Sequence, residues 1–424
     1  MTIHRTIAKT AAETTLAGQF AALPSPDAER VAAFTAFAAA GLPTRRDEAW
    51  HYTDLRSAMA SAAPLAPPPD AARIEAARAA LAARRRIGEV RFVTVDGRYV
   101  EELSDRAPGG LTAAVVAKWG SATRSDPIVA LNDALAPEGF TLRLDEGVHL
   151  AERLEIAHFT SSDAPRSVYS RVGIVFAARA RARIHESFFG AGAGAQRNAL
   201  MALSLGDGAN CVLTSLIDDG ASLHLESQIA DLAADAEFRA FALVAGGALV
   251  RRQIFARHHR PGAKIALSGL SLLDGKRHAD TTLVVEHAAP RGKSREFYRH
   301  VVADEATGVF QGKVIVEPHA QKTDGGMKSQ AILLSPTATM NNKPELEIFA
   351  DDVVCGHGAT VGALDPEQIF YLQARGIERA QAEAMLLEAF GADAIDRVED
   401  EVVAEGLRER MRAWLAARSK EAKT

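Results

Sequence analysis

Residues 206–269 read GDGANCVLTSLIDDGASLHLESQIADLAADAEFRAFALVAGGALVRRQIFARHHRPGAKIALSG, and the fold turns on a small–polar–apolar triplet that returns along this stretch. The triplets are Ala182-Arg183-Ile184, Ala209-Asn210-Cys211, Ala236-Glu237-Phe238 and Ala263-Lys264-Ile265, each 27 residues after the last. Turn formers precede them, as in Gly206-Asp207-Gly208 and Pro261-Gly262, and alternating runs such as LHLESQI (223–229) and LVRRQIF (249–255) lie between. Short alternating strands at a fixed step predict a β-solenoid, in which each coil stacks on its neighbours and the inward side chains form one column. A sandwich would also give many strands, but not a constant step. Cys211 falls on the apolar phase of its triplet and reads as a packed core residue. The register fades after residue 265.

Composition is consistent with a well-buried interior. The chain has 424 residues, 47% of them hydrophobic, and a net charge of −5, which gives no general attraction to nucleic acid or anionic membrane. That length suggests two or three domains, or one elongated repeat. Its two cysteines, Cys211 and Cys355, cannot make a disulfide framework of the kind small secreted domains use. The amino end lacks the continuous apolar segment of a secretory signal, and no run reaches membrane-spanning length, so a cytoplasmic location is expected.

The flanks of the repeat read as helix. Asp27 after Pro24-Ser25-Pro26 caps a helix over 28–40, which Gly41 stops. Trp50 and Tyr52 read as anchors that pin the amino-terminal segment to the body. Four prolines in residues 64–69 mark a linker. Asp70 then caps an Ala/Arg-rich helix ending near Arg86, whose arginines read as a solvated helix end. The run EVRFVTVDGRYVEELS (89–104) alternates about Asp96-Gly97, a hairpin signal. After residue 364 the pattern returns to helix. Asp365-Pro366 is a cap followed by proline at the first helical position, and Gly376 follows the helix end. Two further amphipathic stretches follow, with Met385 and Leu387, then Ile395, Val398, Val402, Leu407, Met411 and Leu415, on their apolar sides. The expected division is a helical region over 1–88, a β-helix core over 89–364 and a helical domain over 365–424.

Chemistry concentrates in residues 341–364, NNKPELEIFADDVVCGHGATVGAL. Leu346, Ile348 and Val353 predict a strand delivering Cys355 and His357 to a tight turn among Gly356, Gly358 and Ala359. Thiolate and imidazole suit zinc or iron, yet one Cys and one His make at most half of a tetrahedral site. An ordinary half-buried Cys and a turn His fit the residues as well. Asp351 and Asp352 would favour a cation while raising the Cys355 pKa. No GxxxxGK[ST] loop occurs, Gly190–Gly194 lacks a surrounding Rossmann pattern, and no nucleophile–base–orienter set appears. His258, His259 and His319 read as ordinary turn histidines.

PELEIFADDVVCGHGATVGALDPEQIFYLQARGI (344–377) closely resembles the carboxyl-terminal signature of the SufB/SufD family, on its SufD side. FQGKVIVEPHAQKTDGGMKSQAILLS (310–335) and PTRRDEAWHYTDL (43–55) resemble the same family. The resemblance implies a right-handed parallel β-helix flanked by helical regions, and a non-catalytic scaffold in iron–sulfur cluster assembly. It implies that Cys355 and His357 bind iron or a transient cluster shared with a SufB partner chain; a flavin in the assembled complex is proposed for the family and unproven. It also implies that the ATPase SufC docks on the carboxyl-terminal helices, where Phe370, Tyr371, Arg375, Gly376, Ile377, Met385, Leu386 and Phe390 are the candidates. The alternatives are a β-helix enzyme of the polysaccharide lyase or acyltransferase type with a metal-assisted site, and a structural homodimer through the solenoid's edge strands.

Overall fold

The computed structural model describes residues 8–116, 126–190 and 192–421, so residues 1–7 of the amino-terminal stretch, residues 117–125, Ala191 in the glycine run and the last three residues lie outside the description. Helices α1 (Ala11–Ala21), α2 (Ala28–Ala40), α3 (Leu55–Ala58) and α4 (Ala71–Ala82) come first. Strands β1 (Val90–Val95), β2 (Arg98–Tyr99) and β3 (Leu111–Val116) precede helix α5 (Pro127–Leu135). The solenoid then runs through β4 (Gly139–Leu144), β5 (Leu154–Thr160), β6 (Ser167–Phe176), β7 (Arg181–Gly190), β8 (Gln196–Leu205), β9 (Asn210–Ile217), β10 (Leu223–Leu232) and β11 (Glu237–Val244). It continues through β12 (Leu249–His258), β13 (Lys264–Leu273), β14 (His278–His287), β15 (Lys293–Val302), β16 (Thr307–Val316), β17 (Asp324–Leu333), β18 (Thr339–Ile348) and β19 (Val354–Gly362). Helices α6 (Pro366–Gln373), α7 (Arg379–Ile395) and α8 (Glu401–Glu421) close the chain.

Alternate strands build two sheets, one ordered β19-β17-β15-β13-β11-β9-β7-β5-β1-β2 and the other β18-β16-β14-β12-β10-β8-β6-β4-β3. Within the coils all neighbours are parallel, and among the described residues only β1–β2 and β3–β4 are antiparallel. Asp96 and Gly97, at φ 50 and 83, form the turn of the first pair, as their sequence required. A side chain at 97 would also stand 2.3 Å from the Tyr169 carbonyl oxygen. The inward faces make one column from Phe92 and Ile156 through Cys211, Phe238 and Ile265 to Phe310 and Val314, and Cys211 is fully buried in it.

The coil length is not constant. Ala182 pairs with Cys211, a step of 29, whereas Cys211–Phe238 and Phe238–Ile265 keep 27. The triplet at Ala182 is therefore two residues out of register with the other three. Later steps lengthen to 29 at Ile265–Ser294, 31 at Ser294–Gly325 and 30 at Gly325–Cys355, because the turns between strands take extra residues. This is why the repeat fades in sequence after residue 265.

Helices cover both outer faces. Apolar residues that point outward from β11, β13 and β15 (Phe241, Leu270, Leu272, Phe297) pack beneath Leu387, Ile395, Leu407, Met411 and Trp414 of α7 and α8. On the other sheet, α1, α2 and α5 bury Leu16, Phe37, Ile128, Leu131 and Leu135 against Tyr169, Leu223 and Leu225. Trp50 is 2% exposed and lies under the Arg251 guanidinium, 4.2 Å from ring centroid to Cζ. Arg251 also pairs with Asp280 and donates to the Ala49 carbonyl at 2.7 Å. The expected aromatic anchor is therefore real at Trp50.

Several expectations need correction. Helix α4 ends at Ala82 rather than near Arg86, and the three arginines after it are tethers, not a solvated end. Arg84 stacks on Phe189, Arg85 meets Glu409 and Arg86 meets Asp105. His258 is fully buried and its Nε2 is hydrogen-bonded to His287 Nδ1 across 2.9 Å, so it is no surface histidine. Met385 and Val402, expected on apolar helix faces, are 43% and 40% exposed.

Candidate functional site

Cys355 and His357 sit on β19, the last strand of its sheet, and not at a tight turn. Gly356 and Gly358, which suggested the turn, lie within the strand itself. The correction matters chemically. In a strand, residues two apart point to the same side, so thiol and imidazole share one face with Cα atoms about 6.8 Å apart. Their register partners on β17 are Gly325 and Met327, both buried and inward-facing. The dyad therefore faces the solenoid interior at the point where the column ends.

Nothing stacks on that end among the described residues. Cys355 is half-buried and His357 exposed, while Ile348, Phe349, Val354 and Val361 are 39%, 60%, 73% and 47% exposed. An uncovered parallel edge with apolar side chains presents both unpaired backbone groups and surface that favours burial.

The environment of the thiol differs from the one the sequence suggested. Burial pushes the Cys355 thiol up, with Asp324 and Glu296 adding to the rise, while the Gly325 backbone and Arg295 oppose it. Asp351 and Asp352 are not among its leading perturbers. Both lie exposed in the turn before β19, and Asp352 is ion-paired with Lys322. The carboxylates that act on the thiol come from neighbouring coils, where no local sequence window could place them.

Beneath the dyad the interior is polar. The inward residues of β15 are Ser294, Glu296, Tyr298 and His300, all at most 2% exposed. Burial raises the Glu296 carboxyl to about 8 and lowers His300 to about 3. The Tyr298 hydroxyl and both His300 ring nitrogens have no hydrogen-bond partner among the described residues. Sequence reasoning missed this face, although the alternation S-x-E-x-Y-x-H (294–300) carries it.

No set of three or more His, Cys, Asp or Glu side chains among the described residues is arranged to hold a metal ion. Cys355 and His357 thus offer a soft and a borderline ligand, and four-coordinate iron would need further ligands from outside this set.

The candidate docking residues on the carboxyl-terminal helices separate into two groups. Phe370 and Tyr371 are 72% and 56% exposed, and Arg375 stacks on Tyr371 at 3.4 Å from the ring centroid. Met385 is exposed on α7, with Gly376 exposed and Ile377 and Leu386 half-buried. Phe390 instead packs inward under Arg299, 4.2 Å from the ring centroid, and belongs to the core between α7 and the sheet.

A family model described as "SUF system FeS cluster assembly, SufBD core domain" matches residues 158–390. The chain is 31% identical over 393 residues to the iron–sulfur cluster assembly protein SufD of Escherichia coli (strain K12), with 89% of each chain covered. It is 25% identical over 385 residues to an iron–sulfur cluster assembly SufBD family protein of Synechocystis sp., with 84% of each covered. Against the chloroplastic protein ABCI7 of Arabidopsis thaliana it is 32% identical over 198 residues, or 46% of this chain and 41% of that one.

Proposed function

This chain belongs to the SufBD family of the SUF system of iron–sulfur cluster assembly, and on that premise we propose that it is a non-catalytic scaffold subunit whose Cys355 and His357 hold a nascent cluster, or its iron, together with a partner chain. The observation that carries this reading is the placement of both side chains on one face of the uncovered last strand. A second chain pairing along β18 and β19 would bury the exposed Ile348, Phe349, Val354 and Val361 and bring its own ligands to the dyad. SufB is the partner we assign to that edge, and a homodimer is its counterpart when the chain is alone.

The cluster is cargo in this reading. The thiol must lose its proton to bind iron, and the raised Cys355 pKa means that metal or partner charge has to favour the thiolate. Arg295, already opposing the rise, is the group of this chain that assists. We place SufC, supplying ATP hydrolysis, on Phe370, Tyr371 and Arg375, where a stacked cation and two exposed rings form a compact anchor. Among the described residues no helix is long and apolar enough to cross a membrane, and the site of action we propose is the cytoplasm.

The test is co-purification of the tagged full chain with its native partners, followed by iron and sulfide analysis. Cys355→Ala and His357→Ala should leave the complex assembled and lower its iron and sulfide content severalfold. Unchanged cluster content in both variants would refute the dyad assignment.

A further inference from the structure

On the outer face of the odd-numbered sheet, bounded by the loop that joins α7 to α8, lies a cavity of about 500 Å³. Its origin is a gap in the side-chain ladder. Strand β13 presents Ala266 and Ser268 where β11 presents Arg239 and Phe241, and β15 presents Arg295 and Phe297. The two larger pairs stand two strand spacings apart, about 9.6 Å, with small residues between them. Arg397, Val398 and Glu399 of the joining loop form the remaining wall.

The charges around this cavity are unbalanced. Five cationic side chains line it (Arg239, Lys264, Lys293, Arg295 and Arg397) against three carboxylates (Glu237, Asp324 and Glu399). All three carboxylates are engaged by just two of the arginines. Arg239 donates to Glu237 through Nε at 2.8 Å and Nη2 at 2.6 Å, and its Nη1 meets Glu399. Arg295 donates from Nη2 to both oxygens of Asp324 at 2.8 Å. Lys264, Lys293 and Arg397 have no carboxylate within ion-pair distance among the described residues. Lys264 and Lys293 are register partners on adjacent strands, so their ammonium groups start about 4.8 Å apart at the backbone. Arg397 is held flat on Phe297, 3.6 Å from Cζ to ring centroid, which fixes its guanidinium at the cavity edge.

We propose that this cavity is a binding site for a small organic phosphate, with Lys264, Lys293 and Arg397 on the phosphate and Phe241, Ala266 and the Val398 wall against a flat apolar body. Five cations against three carboxylates leave the lining a net +2, which matches a dianionic phosphate monoester, and two ammonium groups with a fixed guanidinium supply the donors. The cavity volume suits a ligand of mononucleotide size. Inorganic phosphate would use the cations and leave the apolar residues wet. The proposal goes beyond the scaffold reading and does not rest on it.

Isothermal titration calorimetry of the full chain with phenyl phosphate, AMP and inorganic phosphate tests this. Saturable one-to-one binding is expected for phenyl phosphate or AMP, at least tenfold tighter than for inorganic phosphate. The double variant Lys264→Gln/Lys293→Gln should weaken that binding at least tenfold. Ala266→Leu, which fills the gap and keeps every charge, should do the same. Both variants are read only alongside an unchanged thermal midpoint, and Ser268→Leu replaces Ala266→Leu if the latter unfolds. Absence of saturable binding to the unmodified chain overturns the proposal. So does inorganic phosphate binding as tightly as the esters, or ester binding that survives both the charge and the filling variants.

Discussion

Cys355 lies in register opposite Gly325, and the bare Cα at 325 leaves the sulfur 3.4 Å from the point a Cβ would occupy. Ser294 Oγ and a Val314 methyl stand at 3.6 and 3.7 Å from the same point, so the glycine makes a cradle just large enough for a methyl group. Gly325→Ala should therefore be tolerated, with stability changed by no more than about 1 kcal/mol. Gly325→Leu has no room and must displace the thiol. Iron and sulfide in the purified complex should fall to the level of Cys355→Ala in the leucine variant alone. Wild-type iron content with leucine at 325 would show that the cradle does not position the sulfur.

The buried Glu296 carboxyl sets a pH dependence. Its folded pKa, raised to about 8 by burial, exceeds the value near 4.3 expected in the unfolded chain. Between those limits the folded protein carries a proton that the unfolded chain has lost. Stability attributable to this group thus falls as pH rises from about 4.3 to 8, by at most about 1.4 kcal/mol per unit. Glu296→Gln removes the titration. Urea midpoints of the variant should match the wild type near pH 5 and exceed it at pH 8, and parallel curves across that range would contradict the assignment.

Lowered histidines act on the acid side. Burial holds His185 at about 4, and His287 and His300 at about 3, all below the unfolded value near 6.5. Each is neutral in the folded state while the unfolded chain takes up a proton, so stability is lost as pH falls from about 6.5 toward 3. His300→Phe should flatten the loss between pH 6 and 4 by up to about one proton in the slope of stability against pH. An unchanged slope would mean that His300 is protonated alike in both states.

Arg251 clamps the amino-terminal segment to the solenoid across 202 residues of sequence. Arg251→Ala strips Asp280 of its buried cation and Trp50 of its stacked partner, at a cost of about 3–5 kcal/mol. Arg251→Ala/Asp280→Ala should recover part of that loss in equilibrium urea unfolding. Limited proteolysis should cut the single variant first in residues 43–60. A single variant as stable as the wild type would remove the clamp.

The exposed rings on α6 give a cleaner docking test than removal of the helical region. Deleting residues 366–424 would uncover Phe241, Leu270, Leu272 and Phe297 and confound binding with misfolding. Phe370→Ala/Tyr371→Ala changes side chains that are 72% and 56% exposed and should leave the thermal midpoint within about 2 °C. Recovery of the ATPase with the tagged chain should drop at least fivefold, and equal recovery would move the docking surface elsewhere.

The coil architecture was readable because inward positions must be apolar or small, and that requirement repeats wherever the turns have constant length. It failed at Ala182, where two extra residues shift the coil, and after Ile265, where longer turns break the step. Helix α5 was not foreseen, since PIVALNDAL (127–135) is short and almost wholly apolar, with five of its residues among the core. Cys355 and His357 were found by residue type, but their shared face was hidden by glycines that read as turn formers and act here as strand residues. Glu296, Arg295 and Asp324 reach the thiol only through stacking of coils about 30 residues apart, which no local window contains. The pairing of Trp50 with Arg251 was unreadable for the same reason.

Three residues, Ala363, Leu364 and Asp365, separate the end of β19 from the start of α6. Fully extended they span about 10 Å, and Leu364 is pinned against the core beneath α7, so the link has almost no slack. Whatever grips α6 therefore has its hand on the same strand that carries the sulfur and the imidazole. Torque applied at the helix arrives at those ligands as a lever's throw, without passing through the rest of the column.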